Sequence, residues 1–185
     1  MRLSLEEAAD LDIRRGIRAG LDGFAIDAWA GGDNAKAYLS AMFAVAEEKD
    51  YPFELTICID AGGLEHGTAA VKWLLDHHGN SPKLARRDGR PLVFGYLSVF
   101  PSFRHGASVL AKQPGNADKD PKELAKDPWL RTTREGWAIL AQAHREMERA
   151  AGQPIFWHYG MGSFFHQTPR QHWSRETLLD AATFL

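Results

Sequence analysis

A short apolar strand that ends on a carboxylate occurs twice in this chain, and the repeat limits the folds open to it. Gly23-Phe24-Ala25-Ile26-Asp27 follows a helix end at Ala19-Gly20-Leu21-Asp22 and runs on to Trp29. Phe53-Glu54-Leu55-Thr56-Ile57-Cys58-Ile59-Asp60 repeats the pattern about thirty residues later, the length of one strand–helix–strand unit. In both, large apolar residues (Phe24, Ile26; Phe53, Leu55, Ile57, Ile59) alternate with small or polar ones (Gly23, Ala25, Asp27; Glu54, Thr56, Cys58, Asp60). Successive side chains of a strand point to opposite faces. One face therefore packs on helices, and Asp27 and Asp60 stand on the other. Ligands of parallel α/β folds bind beyond the carboxyl ends of the strands, where both acids fall.

The rest of the chain extends the alternation. Ser4 and Glu7 form a capping box, so a helix begins at Leu5, with Leu5, Ala9, Ile13, Gly16 and Ile17 on one face. Gly20 stops it. After Gly31-Gly32, Asp33 or Asn34 is expected to cap a second helix reaching about Lys49. A third helix is expected over about Thr68–His78, closed by Gly79. Asp88-Gly89 marks a turn, and Arg90–Leu97 a third strand. Residues 98–131 read as a long loop insertion, with one short helix near Pro121–Lys126. Such loops are functional or disordered. Thr132 and Glu135 form a second capping box, opening a helix over Arg134–Ala151 that Gly152 ends. Pro154–Tyr159 is a fourth strand, an aromatic loop follows to Trp173, and Arg175–Leu185 reads as a last helix.

Strands alternating with helices imply a parallel sheet with right-handed crossovers. Two closures fit: an open, doubly wound sheet, or part of a TIM barrel. Polar inner faces favour the barrel, and a helix-first start and a helical end favour a fragment. A full barrel takes ~250 residues. The 185 residues are therefore expected to be a single (β/α) barrel segment, truncated at both ends, with about four strands of eight.

Charge and composition exclude several partners. The formal net charge is -2, and no stretch concentrates Lys and Arg with interleaved aromatics, so no nucleic acid is expected. No apolar run approaches the ~20 residues that span a bilayer, so no membrane partner is expected. The N-terminus lacks the apolar core of a signal peptide. Cys58 is the single cysteine, which forbids an internal disulfide; inside a strand it reads as a small core residue. Gly31-Gly32 and Gly62-Gly63 lack the third glycine and helix register of a dinucleotide fingerprint. His77-His78 are adjacent on a helix end and cannot chelate as i, i+4 partners do. Neither a cofactor nor a metal is expected.

Asp12-Ile13, followed by Ala19-Gly20-Leu21-Asp22-Gly23-Phe24-Ala25-Ile26-Asp27, resembles a segment of glycoside hydrolase families 71 and 99 and their relatives. There a helix and a Gly-Ile-Asp-Gly-Phe element lead into the second barrel strand. Phe53–Asp60 is similar to the third strand, Asp88-Gly89-Arg90-Pro91-Leu92-Val93-Phe94 to the fourth, and Pro154–Tyr159 to the fifth. The likeness covers most of the chain outside residues 98–131. It implies a (β/α)8 barrel that cleaves α-linked glucans or mannosides, often outside the cell; location is otherwise left open. The families' Trp-Asn-Asp or Trp-His-Glu type motif on a later strand is not found before Leu185. The resemblance thus bears on fold and substrate class more than on activity.

Glycoside hydrolysis needs two carboxyl groups, closer for retention than for inversion. Asp27 and Asp60, on adjacent strands, are the candidate catalytic pair, ~5 Å apart if level. The other reading has each acid capping the loop that follows it. Trp29, Tyr96 and Tyr159 stand at strand ends, where aromatic rings stack on sugars and their polar tips bond hydroxyls. His158 suits orienting a hydroxyl, and Glu65, beside His66, reaches the same mouth. The expected partner is an oligo- or polysaccharide with α linkages, acted on or bound. Two other readings stay open: a non-catalytic carbohydrate-binding remnant, and an unrelated small-molecule enzyme on an open sheet. Unpaired strand edges imply self-association.

Overall fold

The structure, a computed structural model, describes residues 3–27, 32–59, 64–95, 101–124 and 133–159. The elements in order are α1 (Leu5–Arg18), β1 (Gly23–Asp27), α2 (Asp33–Glu48), β2 (Glu54–Ile59), α3 (Leu64–His78), β3 (Arg86–Arg87) and β4 (Arg90–Gly95). They continue with α4 (Pro101–Leu110), α5 (Pro121–Leu124), α6 (Arg134–Ala151) and β5 (Phe156–Tyr159).

Local chemistry sets most of these limits. Ser4 Oγ accepts from the Glu7 amide and the Glu7 side chain accepts from the Ser4 amide, completing the capping box of α1. Gly152 ends α6 in the left-handed region at φ 75°. Two expected caps differ. The N-cap of α2 is Gly32, with Asp33 the first helical residue and no side chain capping. The N-cap of α6 is Thr133, whose hydroxyl accepts from the Gly136 amide; the expected Thr132 lies outside the described residues. Helix α3 starts at Leu64, earlier than Thr68, and Gly67, Ala70, Val71 and Leu74 are its buried stripe.

Residues 98–131 differ most from expectation. Where one short helix was foreseen, the described part carries α4 as well as α5. Pro101 stands at the first helical position, where its fixed φ and missing N–H cost nothing, and Ala107 and Leu110 are buried one turn apart. Helix α4 packs on α3 and α6, so this segment contributes to the core.

Strands β1, β2, β4 and β5 pair in parallel and in chain order. Strand β3 joins β4 as an antiparallel hairpin through Asp88-Gly89, both at positive φ (51° and 74°). That is the primed two-residue turn, whose twist matches the strands. The segment before it wedges between the amino-terminal halves of β2 and β4: Leu55 N donates to Lys83 O, Ala85 N to Leu55 O, and Leu92 N to Ala85 O. Strands β2 and β4 therefore pair directly only at their carboxyl ends, Cys58 beside Phe94 and Ile59 beside Gly95. Below that, the Thr56 hydroxyl spans the gap to the Leu92 carbonyl.

Leu55, Ile57, Ile59 and Val93 enter one core with Leu39, Met42 and Phe43 of α2 and Val71 and Leu74 of α3. Full burial of each such side chain stabilises by about 1.5–3 kcal/mol. Phe24 and Phe53 meet edge to face at 4.8 Å. On the other face Ala25 and Asp27 of β1 and His158 of β5 are exposed and Cys58 and Phe94 half-buried, while Thr56 and Leu92, beside the wedged segment, are buried. Crossovers of one hand joining strands in unbroken order place their helices on one face, and this burial contrast agrees. The architecture is α/β with a parallel sheet and intervening helices.

Candidate functional site

Strand register lays out the face opposite the core. Asp27 is level with Cys58, Cys58 with Phe94, and Phe94 with His158. These four form one row at the carboxyl ends of four parallel strands. Asp27 and His158 are exposed, Cys58 and Phe94 half-buried. The His158 ring rests on Phe94, centroids 4.8 Å apart and planes tilted 60°. Cys58 thus stands on the polar face and not in the core.

The next row toward the amino ends is Ala25, Thr56, Leu92 and Phe156. A groove of 130 Å³ runs along this face from Phe94 past Ala25 and Thr56 to Glu54 and Arg87. Glu54 and Arg87 pair at 3.0 Å and close its lower end. The groove is apolar along its floor, with ionic groups at one end and Asp27 and His158 in the row at the other.

The expected site residues fall as follows. Asp27 and His158 share the row. The register sets Cys58, rather than Asp60, level with Asp27; Asp60 itself, Trp29 and Tyr96 lie outside the described residues. Tyr159 is paired with Gly95 through its backbone, and its side chain lies outside the description. Glu65 is exposed in the first turn of α3. Phe94 was missed. Only the register of β4 against β5 puts it beside His158.

A second feature lies on the core side of the same strand ends. Asp27, Lys36, Leu39, Ile57, Ala70 and Trp73 line a small cavity of 20 Å³ between β1, β2, α2 and α3. Lys36 Nζ stands 5.9 Å from the centre of the Trp73 ring, a cation–π distance.

The opposite end of the molecule holds a larger cleft of 390 Å³ between the carboxyl ends of α2 and α3. His78 stacks on Phe43 at 4.1 Å, its Nε2 lies 3.2 Å from Ser40 Oγ, and Ser81 donates to Glu47. Burial, then the neighbouring His77, lowers the His78 pKa. His77 Nδ1 meets the Trp73 carbonyl at 2.9 Å. These contacts engage both rings in helix packing. Among the described residues no three His, Cys, Asp or Glu side chains are placed to hold a metal ion, and no helix is long and apolar enough to cross a membrane.

No family model, curated protein or solved structure matches the chain. What the fold and the row define is a class only: a parallel α/β protein with an acid, two aromatic rings and a thiol along one set of strand ends.

Proposed function

We propose that this chain is a segment of a (β/α) barrel of the glycoside hydrolase type, with its cleft on the face away from the core at the carboxyl ends of the strands, where it takes α-linked glucan or mannan. One observation carries the reading: four parallel strands in unbroken chain order, with Asp27, Phe94 and His158 in one row on the face away from the core. A doubly wound sheet reverses its strand order and places helices on both faces; a barrel does neither. A carboxylate and an imidazole beside an aromatic ring suit a sugar, whose hydroxyls need polar partners and whose ring faces are apolar. The resemblance of Asp22–Asp27, Phe53–Asp60 and Asp88–Phe94 to families 71 and 99 narrows the sugar to α linkages. Asp27 supplies one of the two carboxylates hydrolysis needs, and Asp60 is proposed as the other.

Calorimetric titration with α-1,3-linked gluco-oligosaccharides and α-linked manno-oligosaccharides tests binding, and product analysis tests turnover. Asp27→Asn is expected to weaken binding about tenfold, the worth of a charge-assisted hydrogen bond. Binding without any product would leave a carbohydrate-binding protein on the same groove. No binding to either series would sink the glycan reading.

A further inference from the structure

We infer that the cleft between the carboxyl ends of α2 and α3 binds a guanidinium group on an alkyl stem, the chemistry of an arginine side chain, with Glu47 and Asp76 as its carboxylate partners. The site is independent of the glycan reading: it lies at the opposite end of the molecule from the row of Asp27 and His158. At 390 Å³ it falls within the ~300–1,000 Å³ of small-ligand sites. Phe43, Ala44 and Leu75 give it apolar lining, and Glu47 and Asp76 both face it. Among the described residues no lysine or arginine lines it. Two cations are engaged at its edge: Lys72 holds Asp76 at 2.7 Å, and Arg86 donates to the Gly79 carbonyl. A carboxylate offers about four acceptor sites, so Asp76 retains capacity.

Glu47 stands against its local setting. The carboxyl end of a helix carries partial negative charge and favours cations. Yet the last turn of α2 holds Glu47 and Glu48 and no basic residue. The Ser81 hydroxyl donates to Glu47, which satisfies a lone pair and leaves the charge. No ion pair among the described residues neutralises it, for Lys49 goes to Asp10 and Lys83 to Asp50. A residue that opposes its surroundings is expected where function requires it. A cation brought by a ligand supplies what the helix end lacks.

The chemistry selects a guanidinium. An anion meets no positive side chain in the lining. A metal ion finds no three His, Cys, Asp or Glu ligands among the described residues. An ammonium is strongly hydrated, whereas a guanidinium is planar, more weakly hydrated, and matched to carboxylate geometry. Its alkyl stem covers apolar surface while the head stays at the polar rim; Ala44 and Leu75 are that surface. His78, stacked on Phe43 at 4.1 Å, does not oppose a cation. Burial lowers its pKa, so the ring is uncharged at neutral pH.

Nuclear magnetic resonance titration of the full chain tests the site with three probes: butylguanidinium, a capped peptide with one arginine between glycines, and the same peptide with neutral citrulline. Both cations are expected to shift the amide signals of Ser40, Glu47, His78 and Ser81 and to leave those of Ala25 and Asp27 in place. The tighter of the two identifies the source as a free small molecule or a partner polypeptide. Glu47→Gln keeps an acceptor for Ser81 and removes the charge. Its Kd is expected to rise about tenfold, with Tm unchanged or higher. Ala44→Arg sets a guanidinium one turn before Glu47, where the two pair along the helix, and is expected to block binding. Equal binding of the citrulline peptide, an unchanged Kd in Glu47→Gln, or full binding by Ala44→Arg would overturn the site. A Tm lower by several degrees in Glu47→Gln would make the carboxylate structural and overturn it too. So would a wild type that responds to neither cation, and that result would leave the oligosaccharide titrations untouched.

Discussion

Burial keeps His144 neutral far into acid, while hydrogen bonds keep Asp10 ionised there, and the two act on stability at different pH. His144 is 8% exposed and stacks on Trp157 at 5.2 Å. Desolvation, then the Arg145 charge, pushes its pKa down to about 3. Above pH ~6.5 the ring is neutral folded or unfolded and adds nothing. As pH falls from there toward 3, the unfolded chain takes a proton that the fold refuses, and stability declines. His78, lowered by burial, acts in the same direction. Asp10 accepts from Lys49 at 2.7 Å and Tyr51 at 2.8 Å, and these bonds lower its pKa. Its contribution is complete above the ordinary carboxylate range near pH ~4 and is lost below it. The acid limb therefore has two steps. Urea midpoints measured from pH 8 to pH 3 are expected to begin falling near pH ~6.5. His144→Phe should abolish most of that upper step, and Asp10→Asn should shrink only the lower one. A single step below pH ~4 in the wild type would contradict the placement of His144. None of this was legible in the sequence: His144 sits in a helix among charged neighbours, and its burial follows from α6 packing against β5. The alternation that exposes Asp27 and buries Ile57 was legible, because period two is a property of the strand itself.

Glu148 and the Asp88-Gly89 turn show how elements are tied together. Glu148 Oε1 accepts from Ile155 N and from Trp157 Nε1, each at 3.1 Å, and so fixes β5 to α6. Hydrogen bonds to a charged group contribute about 1.5–3 kcal/mol. Glu148→Ala is expected to lower stability by roughly that amount, read as a shift of the urea midpoint at pH 7. In the hairpin, Gly89 lies at φ 74°, where a β-carbon costs about 1–2 kcal/mol. Gly89→Ala should destabilise by that much, while Asp88→Asn, suited to the same turn, should leave the midpoint within about 0.5 kcal/mol. Equal effects from the two substitutions would argue against the primed turn. The sequence marked Asp88-Gly89 as a turn, yet Arg86-Arg87 is too short a strand to announce a hairpin. Helix α4 escaped notice because its buried Ala107 and Leu110 cover a single turn, and a glycine-rich context hides so brief a period. Gly23 has a reading that the family likeness did not require: a β-carbon there would lie 2.3 Å from the Glu54 carbonyl oxygen. Close approach of β1 to β2 thus accounts for the glycine in Asp22-Gly23-Phe24 without any ligand.

At the scale of the whole molecule, the two faces of the sheet differ among the described residues. Its core face carries Leu55, Ile57, Ile59 and Val93, and its other face carries the row of Asp27 and His158. Among the described residues β1 pairs with β2 alone and β5 with β4 alone, so both outer strands have an edge free of described strands. Protected edges carry lysine, proline or a bulge; Gly23-Phe24-Ala25-Ile26-Asp27 carries none of these before its final acid. Parallel pairing of β1 with β5 of a second copy would satisfy both edges at once and bring together the two faces that carry Asp27 and His158. We propose that this 185-residue chain associates with itself in that way. Ala25, exposed in the middle of β1, is the position to test it. An inward charge there would be buried unpaired in the joined sheets, at a cost no single edge contact offsets, but is harmless on a face open to water. Sedimentation velocity is expected to give dimers or larger species for the wild type and monomers for Ala25→Lys, with unchanged far-ultraviolet circular dichroism. A wild type that stays monomeric at high concentration would show that the edges need no partner, and with it the half-barrel dimer would fall.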